Sequence, residues 1–174
     1  VGLVLWYVIG TPITMATNAL SDWLKSMSGA NAAIMGAIIG AMMAFDMGGP
    51  VNKIANAFGT AAYTEGAYVA STAMLLAIAI PPTIMFLATL LDRKKILYTD
   101  TERENGISAI IMGIVGITEG TIPFAIADPL RVIPSIMVGT ATTCAINGAI
   151  GVTNSTMMAT YFGIPFTTNI PLYL

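Results

Sequence analysis

Five ionisable side chains lie within or beside apolar stretches that are too short to cross a bilayer. They are Asp46, Lys53, Glu119, Asp128 and Arg131. An ionised group at mid-membrane costs about 2.5–3.5 kcal/mol on insertion scales, so packing alone would not require these residues. A carboxylate has about four lone-pair sites and can accept hydrogen bonds from two hydroxyl groups at once. These residues therefore predict a binding site for a small polar solute.

Glu119 is the strongest of these candidates. No basic residue lies within four positions of it, and an apolar run directly precedes it. Thr118, next to Glu119, and Asn52, next to Lys53, add neutral hydrogen-bonding groups. The alternative interpretation is a carboxylate at a helix terminus that faces water.

The other four charges also have structural interpretations. Asp46 precedes Gly-Gly-Pro and could simply accept hydrogen bonds in a turn. Lys53 could extend its ammonium group to a membrane interface. Asp128 and Arg131 are three residues apart and could neutralise each other, so we treat them as a structural or gating charge pair.

The composition is that of a membrane protein. Hydrophobic residues make up 56% of the chain and charged residues 9%, whereas soluble domains carry about 25% charged residues. The net charge of −2 provides no basic surface for nucleic acid. The chain has no histidine, and we expect neither a metal site nor a cofactor. Cys144 is the single cysteine, so it cannot form an internal disulfide and is expected to pack in an apolar run.

Only residues 66–91 plainly reach the length of a transmembrane helix, which is about 20 residues. Residues 135–152 nearly do, and residues 1–19, 30–45 and 107–117 form shorter apolar runs. Because the chain starts inside an apolar run without Met, we expect a segment of a longer protein. The predicted fold is an all-α membrane protein with transmembrane helices and re-entrant hairpin loops.

Two stretches, residues 46–53 and 118–134, combine charges with Gly and Pro and are predicted to be irregular. Irregular backbone at membrane depth must be buried in protein or line a wet cavity. The coincidence of charges and broken backbone predicts that re-entrant hairpins form the solute site.

The segment 92–105 is strongly polar and is predicted to be a cytoplasmic loop. It carries Arg93, Lys94, Lys95 and Arg103, and basic residues in short loops favour the cytoplasmic side.

Two sequence features concern helix packing. Gly36 and Gly40 have the GxxxG spacing that permits close contact between helices, although this spacing also arises by chance in glycine-rich chains. Pro81 and Pro82 interrupt the long apolar run and predict a kink.

Two motifs resemble the signatures of a known family. Residues 44–53 read Ala-Phe-Asp-Met-Gly-Gly-Pro-Val-Asn-Lys, and residues 116–120 read Gly-Ile-Thr-Glu-Gly. The second motif continues with Ile-Pro-Phe-Ala and then Ala-Asp-Pro-Leu-Arg-Val-Ile-Pro-Ser. Together they resemble the fructose-specific permease component, the C component of enzyme II, of the bacterial phosphoenolpyruvate-dependent sugar phosphotransferase system. The resemblance covers roughly residues 20–152.

The resemblance implies an all-helical, multi-pass domain of the bacterial inner membrane, with re-entrant hairpins and usually dimeric. Residues 1–174 would be the later half of that permease domain. Glu119 would contact the sugar, and the first signature would border the site with Asp46, Asn52 and Lys53. The phosphoryl donor would be a phosphocysteine on a separate cytoplasmic B domain. Cys144 does not lie in that cysteine motif.

One departure from the family concerns the end of the chain. Many relatives carry Pro-His-Gly-Gly after the last matched helix, whereas residues 154–158 read Asn-Ser-Thr-Met-Met. This difference leaves the identity of the sugar open.

We expect a permease that binds fructose or a related hexose or hexitol and presents it to the phosphorylated B component. The protein would be the membrane part of a sugar phosphotransferase, without a catalytic residue of its own. A rival interpretation is an ion- or proton-coupled secondary transporter in which Glu119 carries the proton. A third is a binding or regulatory membrane module that has lost transport.

Overall fold

The computed structural model describes Met15 and residues 31–93, 96–158 and 161–168, and this part of the chain is mostly helical. Its six α-helices with described bounds are α1 (Ala32–Phe45), α2 (Pro50–Thr64), α3 (Tyr68–Leu91), α4 (Asp100–Ile114), α5 (Ile122–Ala127) and α6 (Pro129–Ile150). Two 3₁₀ turns add to them, Thr118–Thr121 and Ile164–Phe166. The described residues form no β-strand beyond one isolated bridge between Asn154 and Thr167. The all-α prediction is confirmed.

Helices α3 and α6 are long and apolar enough to cross a bilayer, judged by length and composition within the described residues. Helix α3 confirms the run predicted at 66–91 and continues through Pro81 and Pro82. The apolar run 1–19, except Met15, lies outside the described residues, as do Lys94 and Lys95.

The second irregular stretch is shorter than predicted, because helix α6 begins at Pro129. Proline suits the first helical position, where its fixed φ is favourable and its missing N–H is not needed. The Asp128 carboxylate accepts a hydrogen bond from the Arg131 amide at 3.3 Å. The prediction of irregular chain up to residue 134 was therefore wrong.

The first irregular stretch is also shorter than predicted and spans residues 46–49. Helix α2 starts at Pro50 and had not been predicted. Helix α4 starts at Asp100 inside the polar segment, because Thr99 and Glu102 form a reciprocal capping box. The capping box thus extended α4 into a region with little apolar character.

The Gly36–Gly40 pair forms the predicted close helix contact. A β-carbon at Gly36 would collide with the Cys144 carbonyl, and one at Gly40 would lie 2.7 Å from the Thr140 carbonyl oxygen. Helices α1 and α6 are therefore antiparallel and in backbone contact. Helix α3 also packs against α6, where the Cys144 thiol donates to the Ala73 carbonyl at 3.3 Å.

Helices α1 and α2 form a first hairpin whose open end lies beside the start of α3. Gly148, near the end of α6, contacts Ala32 at the start of α1, and Gly59 of α2 packs on Met74 of α3. The first tip, residues 46–49, lies towards the C-terminal half of α3, because Met47 shares a buried cluster with Met85.

Helices α4 and α5 form a second hairpin that approaches from the opposite end of α3. Gly106 of α4 packs against Thr89, and Gly113 packs against Pro82, so α4 runs antiparallel to α3. The second tip, residues 115–121, reaches the middle of α3. Helix α5 then returns, placing Phe124 edge-on to Tyr98 with ring centroids 6.2 Å apart.

Candidate functional site

The two tips meet at Glu119 and Gly48. A β-carbon at Gly48 would lie 2.5 Å from Oε1 of Glu119 and 3.0 Å from its carboxyl carbon. Gly48 has a φ of 110°, and Met47 before it has a φ of 44°, so the first tip turns through two successive left-handed residues. The contact therefore depends on the absence of a side chain at position 48.

Glu119 is the exposed residue of an otherwise buried turn. Its neighbours Thr118, Gly120 and Thr121 are all buried. A β-carbon at Gly120 would lie 2.9 Å from the Ala109 α-carbon, so the turn is pressed onto α4. The turn thus fixes the backbone of Glu119 while leaving its carboxylate accessible to a ligand.

Asp46 uses its carboxylate to hold the first tip together. Its two oxygens accept hydrogen bonds from the amides of Val51 at 2.7 Å and Asn52 at 2.9 Å. The Gly49 amide donates to the Asp46 carbonyl at 3.1 Å. This geometry is the turn interpretation considered from the sequence, and it stabilises the otherwise unpaired amides at the start of α2.

Asn52 and Lys53 occupy the first turn of α2 in different environments. Asn52 is buried, and its side-chain amide donates to the Met43 carbonyl at 2.7 Å, which ties α2 to α1. Lys53 is exposed. The structure therefore brings Asp46, Asn52 and Lys53 together at one hairpin, with the first two engaged in internal hydrogen bonds.

Thr118 is directed into the protein. Its hydroxyl donates to the Ile78 carbonyl at 3.1 Å, and the residue is 4% exposed. The Thr121 hydroxyl, three residues on, is buried without a hydrogen-bond partner in the part of the chain that the structure describes. The second tip thus buries two hydroxyl groups, one of them without a partner among the described residues, whereas most buried polar groups are hydrogen-bonded.

Asp128 and Arg131 form the ion pair expected from their spacing, with 3.5 Å between Arg131 Nη1 and Asp128 Oδ2. The side chains are 44% and 88% exposed respectively. Exposed pairs of this kind contribute about 0–1 kcal/mol in water, so the visible role of Asp128 is to cap α6. A gating role stays a prediction.

The polar loop contains a network that the sequence analysis did not identify. Arg103 lies 2.9 Å from the Asp92 carboxylate. That carboxylate also accepts the amides of Ile96, Leu97 and Tyr98. Desolvation raises the pKa of Asp92, but the three amides and Arg103 outweigh it and hold the pKa below its usual value. The sequence signals that could have revealed this network were Asp92 at the end of α3 and Arg103 in the first turn of α4.

A cavity of about 620 Å³ lies at the open end of the first hairpin and not at the tips. Its walls include Met35, Phe58 and Tyr68, with Glu65 among the lining residues. Neither Glu119 nor Gly48 lines it. The described residues contain no cluster of three or more potential metal ligands.

Similarity to characterised proteins is high over most of the chain. It is 48% identical over 151 residues to the fructose-like permease IIC component 2 of Escherichia coli (strain K12), an alignment of 85% of this chain and 41% of that protein. It is 43% identical over 164 residues to a fructose-specific EIIB'BC component of the same organism, covering 94% of this chain and 28% of that protein. The chain belongs to the fructose-type permease family of the phosphotransferase system.

The names of the phosphotransferase-system relatives specify different substrates, so the similarity alone does not identify the substrate of this chain. A 2-O-alpha-mannosyl-D-glycerate-specific EIIABC component of Escherichia coli (strain K12) is 40% identical over 168 residues, covering 94% of this chain and 24% of that protein. The chain spans less than half the length of these relatives. No family model and no solved structure matches it.

Proposed function

We propose that this chain is part of the sugar-conducting domain of a phosphotransferase system and binds fructose or a related hexose or hexitol where its two tips meet. The observation that carries the proposal is the contact between Glu119 and Gly48. It joins the two sequence signatures and leaves one accessible carboxylate at their junction.

The hairpins supply the physical reason for a site at this place. They extend from opposite ends of α3, a helix long enough to span a bilayer. Helix α1 is shorter and α5 is only a six-residue helix. In a membrane spanned by α3 and α6, such hairpins would be re-entrant. Their tips would bring irregular backbone to an interior cavity, where polar groups can bind a solute.

Glu119 is the proposed sugar ligand, and the surrounding residues complete the site. An ionised carboxylate forms hydrogen bonds roughly twice as strong as neutral acceptors do, and its two oxygens match adjacent hydroxyls. Asp46 and Asn52 shape the first tip, and exposed Lys53 borders it. Asp128 and Arg131 form a structural pair at the start of α6.

Sugar would enter from outside and be presented to a phosphorylated B component on the cytoplasmic side. The names of the relatives include B components, which supports such a partner. The permease would supply position and electrostatics, and the phosphocysteine of the B component would supply the phosphoryl group. The product's negative charge would be repelled by Glu119, which favours release. A multi-pass inner-membrane location and a homodimer belong to the same proposal, with the segment 92–105 on the cytoplasmic side.

A coupled secondary transporter would also use an accessible acid, but the family relationship favours the phosphotransferase route. Uptake into vesicles separates the two. The proposal requires a phosphorylated B component for accumulation of sugar phosphate. Uptake driven by an ion gradient without that partner would contradict it.

The direct test is sugar binding by the full-length protein with Glu119→Gln. Hydrogen bonds to a charged group contribute about 1.5–3 kcal/mol, so affinity should fall by about 10-fold to 150-fold. Glu65→Gln is a matched control, because Glu65 lies in a second Thr-Glu-Gly triplet and lines the cavity at the other end of the hairpin. Loss of binding in Glu65→Gln alone would move the site to that cavity.

A further inference from the structure

Pro82 leaves a carbonyl group without its normal partner near the middle of α3. In a regular helix the N–H of residue 82 would donate to the carbonyl of residue 78, but proline has no N–H. The Thr118 hydroxyl donates to that Ile78 carbonyl at 3.1 Å from the second tip. A side chain from one hairpin thus supplies one of the two hydrogen bonds that Pro81 and Pro82 remove from the long helix.

We propose that Thr118 is a positioning residue, and that its hydrogen bond to the Ile78 carbonyl sets the position along α3 at which Glu119 meets Gly48. This inference rests on the proposed function, because it assigns Glu119 to the sugar. Thr118 is adjacent to Glu119 in a four-residue turn, so a shift of its backbone moves the carboxylate directly.

The packing around Pro82 supports this role. A β-carbon at Gly113 would lie 2.8 Å from the Pro82 ring, so α4 contacts α3 closely at this level. Gly120 of the turn contacts Ala109 of α4. The turn is therefore packed on α4, which itself packs on α3, and the Thr118–Ile78 hydrogen bond links the turn directly to α3.

Burial of Thr118 argues against direct sugar binding through this residue. Its side chain is 4% exposed and its proton is directed to Ile78. If Thr118 bound sugar, its loss would weaken binding without moving residue 119. If it only satisfied the Ile78 carbonyl, a helical N–H restored at position 82 would replace it, whereas a bond that positions the turn cannot be replaced from within α3.

The experiment is a mutant cycle in the full-length protein with Thr118→Val, Pro82→Ala and the double variant. We expect Thr118→Val to weaken sugar binding by about tenfold, with Thr118→Ser near wild type. The double variant should stay as weak as Thr118→Val, because the backbone N–H at position 82 can then satisfy the Ile78 carbonyl but does not link the turn to α3. Thr142→Val is the control, since Thr142 donates to the Val138 carbonyl within its own helix and is exposed.

A second readout does not depend on sugar. A cysteine introduced by Glu119→Cys, in a background without other reactive cysteines, reports the position of the tip through its rate of modification by a charged thiol reagent. Buried Cys144 should not react. We expect Thr118→Val to change the rate severalfold and the added Pro82→Ala to leave it changed.

The two readouts separate the two proposals. If Glu119→Gln binds sugar normally while the modification rates follow the cycle, the proposed function fails and the positioning of residue 119 stands. If Thr118→Val changes neither readout, or if Pro82→Ala restores either of them, the positioning role is overturned.

Discussion

Glu119 lies against Gly48, so its carboxylate occupies the place where a side chain at position 48 would begin. The two residues belong to hairpins that extend from opposite ends of α3. Asp46 holds the first hairpin through amides of α2, and Thr118 ties the second hairpin to α3. The junction is consequently the place where small changes in either hairpin should affect ligand binding.

Gly48→Ala should lower sugar affinity by more than tenfold. The β-carbon would displace the Glu119 carboxylate, and the left-handed backbone would cost a further 1–2 kcal/mol or so. Gly66→Ala is the matched control, because Gly66 has a φ of 79° and nothing within 4 Å of its β position. Isothermal titration of both variants measures the difference. Equal affinities would show that contact with Glu119 is unimportant.

Asp46→Ala should lower stability more than it lowers the sugar affinity of the folded protein. It removes two hydrogen bonds to amides of α2, each worth about 1.5–3 kcal/mol when the acceptor is charged. Asp46→Asn should be intermediate, since one amide oxygen remains. Thermal unfolding in detergent and sugar titration test the two quantities separately. An unchanged Tm with a large loss of affinity would make Asp46 a direct ligand.

Gly36→Ala and Gly40→Ala should each destabilise the protein by about 1–3 kcal/mol, the usual effect of overpacking. The new methyl groups would meet backbone carbonyls of α6, which cannot move independently of the helix. Gly139→Ala is the control, because its β-carbon would meet only the flexible end of Ile84. Chemical denaturation provides the comparison. Similar destabilisation at all three positions would exclude backbone contact as the cause.

The polar loop should lose stability as pH falls below about 4. Hydrogen bonds from Thr99 lower the pKa of Glu102, and the amides and Arg103 lower that of Asp92 despite opposing desolvation. Carboxylates with a lowered folded-state pKa stabilise the fold above the unfolded pKa, about 3.9 for Asp and 4.3 for Glu. That contribution disappears as pH falls through the folded values.

Comparison of Tm between wild type and Asp92→Asn at several pH values measures this effect. The advantage of wild type should be full at pH 6 and smaller at pH 3. Glu104→Gln, at an exposed position of α4, is the control substitution. A constant difference for Asp92→Asn across this range would contradict the linkage.

The sequence alone determined the class of the protein and much of its helical content. Composition predicted a membrane protein, since nine acidic and seven basic residues cannot cover a core of this size. The length of apolar runs identified α3, and GxxxG spacing predicted a close helix contact of α1 without identifying α6 as its partner. These properties depend on composition or on neighbouring residues, so they can be predicted from the sequence without coordinates. The helix starts at Pro50 and Pro129 were misjudged because proline was read as a breaker instead of a first helical residue.

Only the tertiary structure decided which polar residues meet. The sequence could not show that the Asp46 carboxylate accepts hydrogen bonds from amides of α2 or that the Glu119 carboxylate contacts Gly48. It also could not show that Thr118 bonds to the carbonyl that Pro82 frees. Each of these contacts joins segments whose relative position along α3 is set by helix packing. That packing depends on the length of every helix and turn between the segments. The residue types predicted a polar site, whereas the register of two hairpins against α3 determined its position.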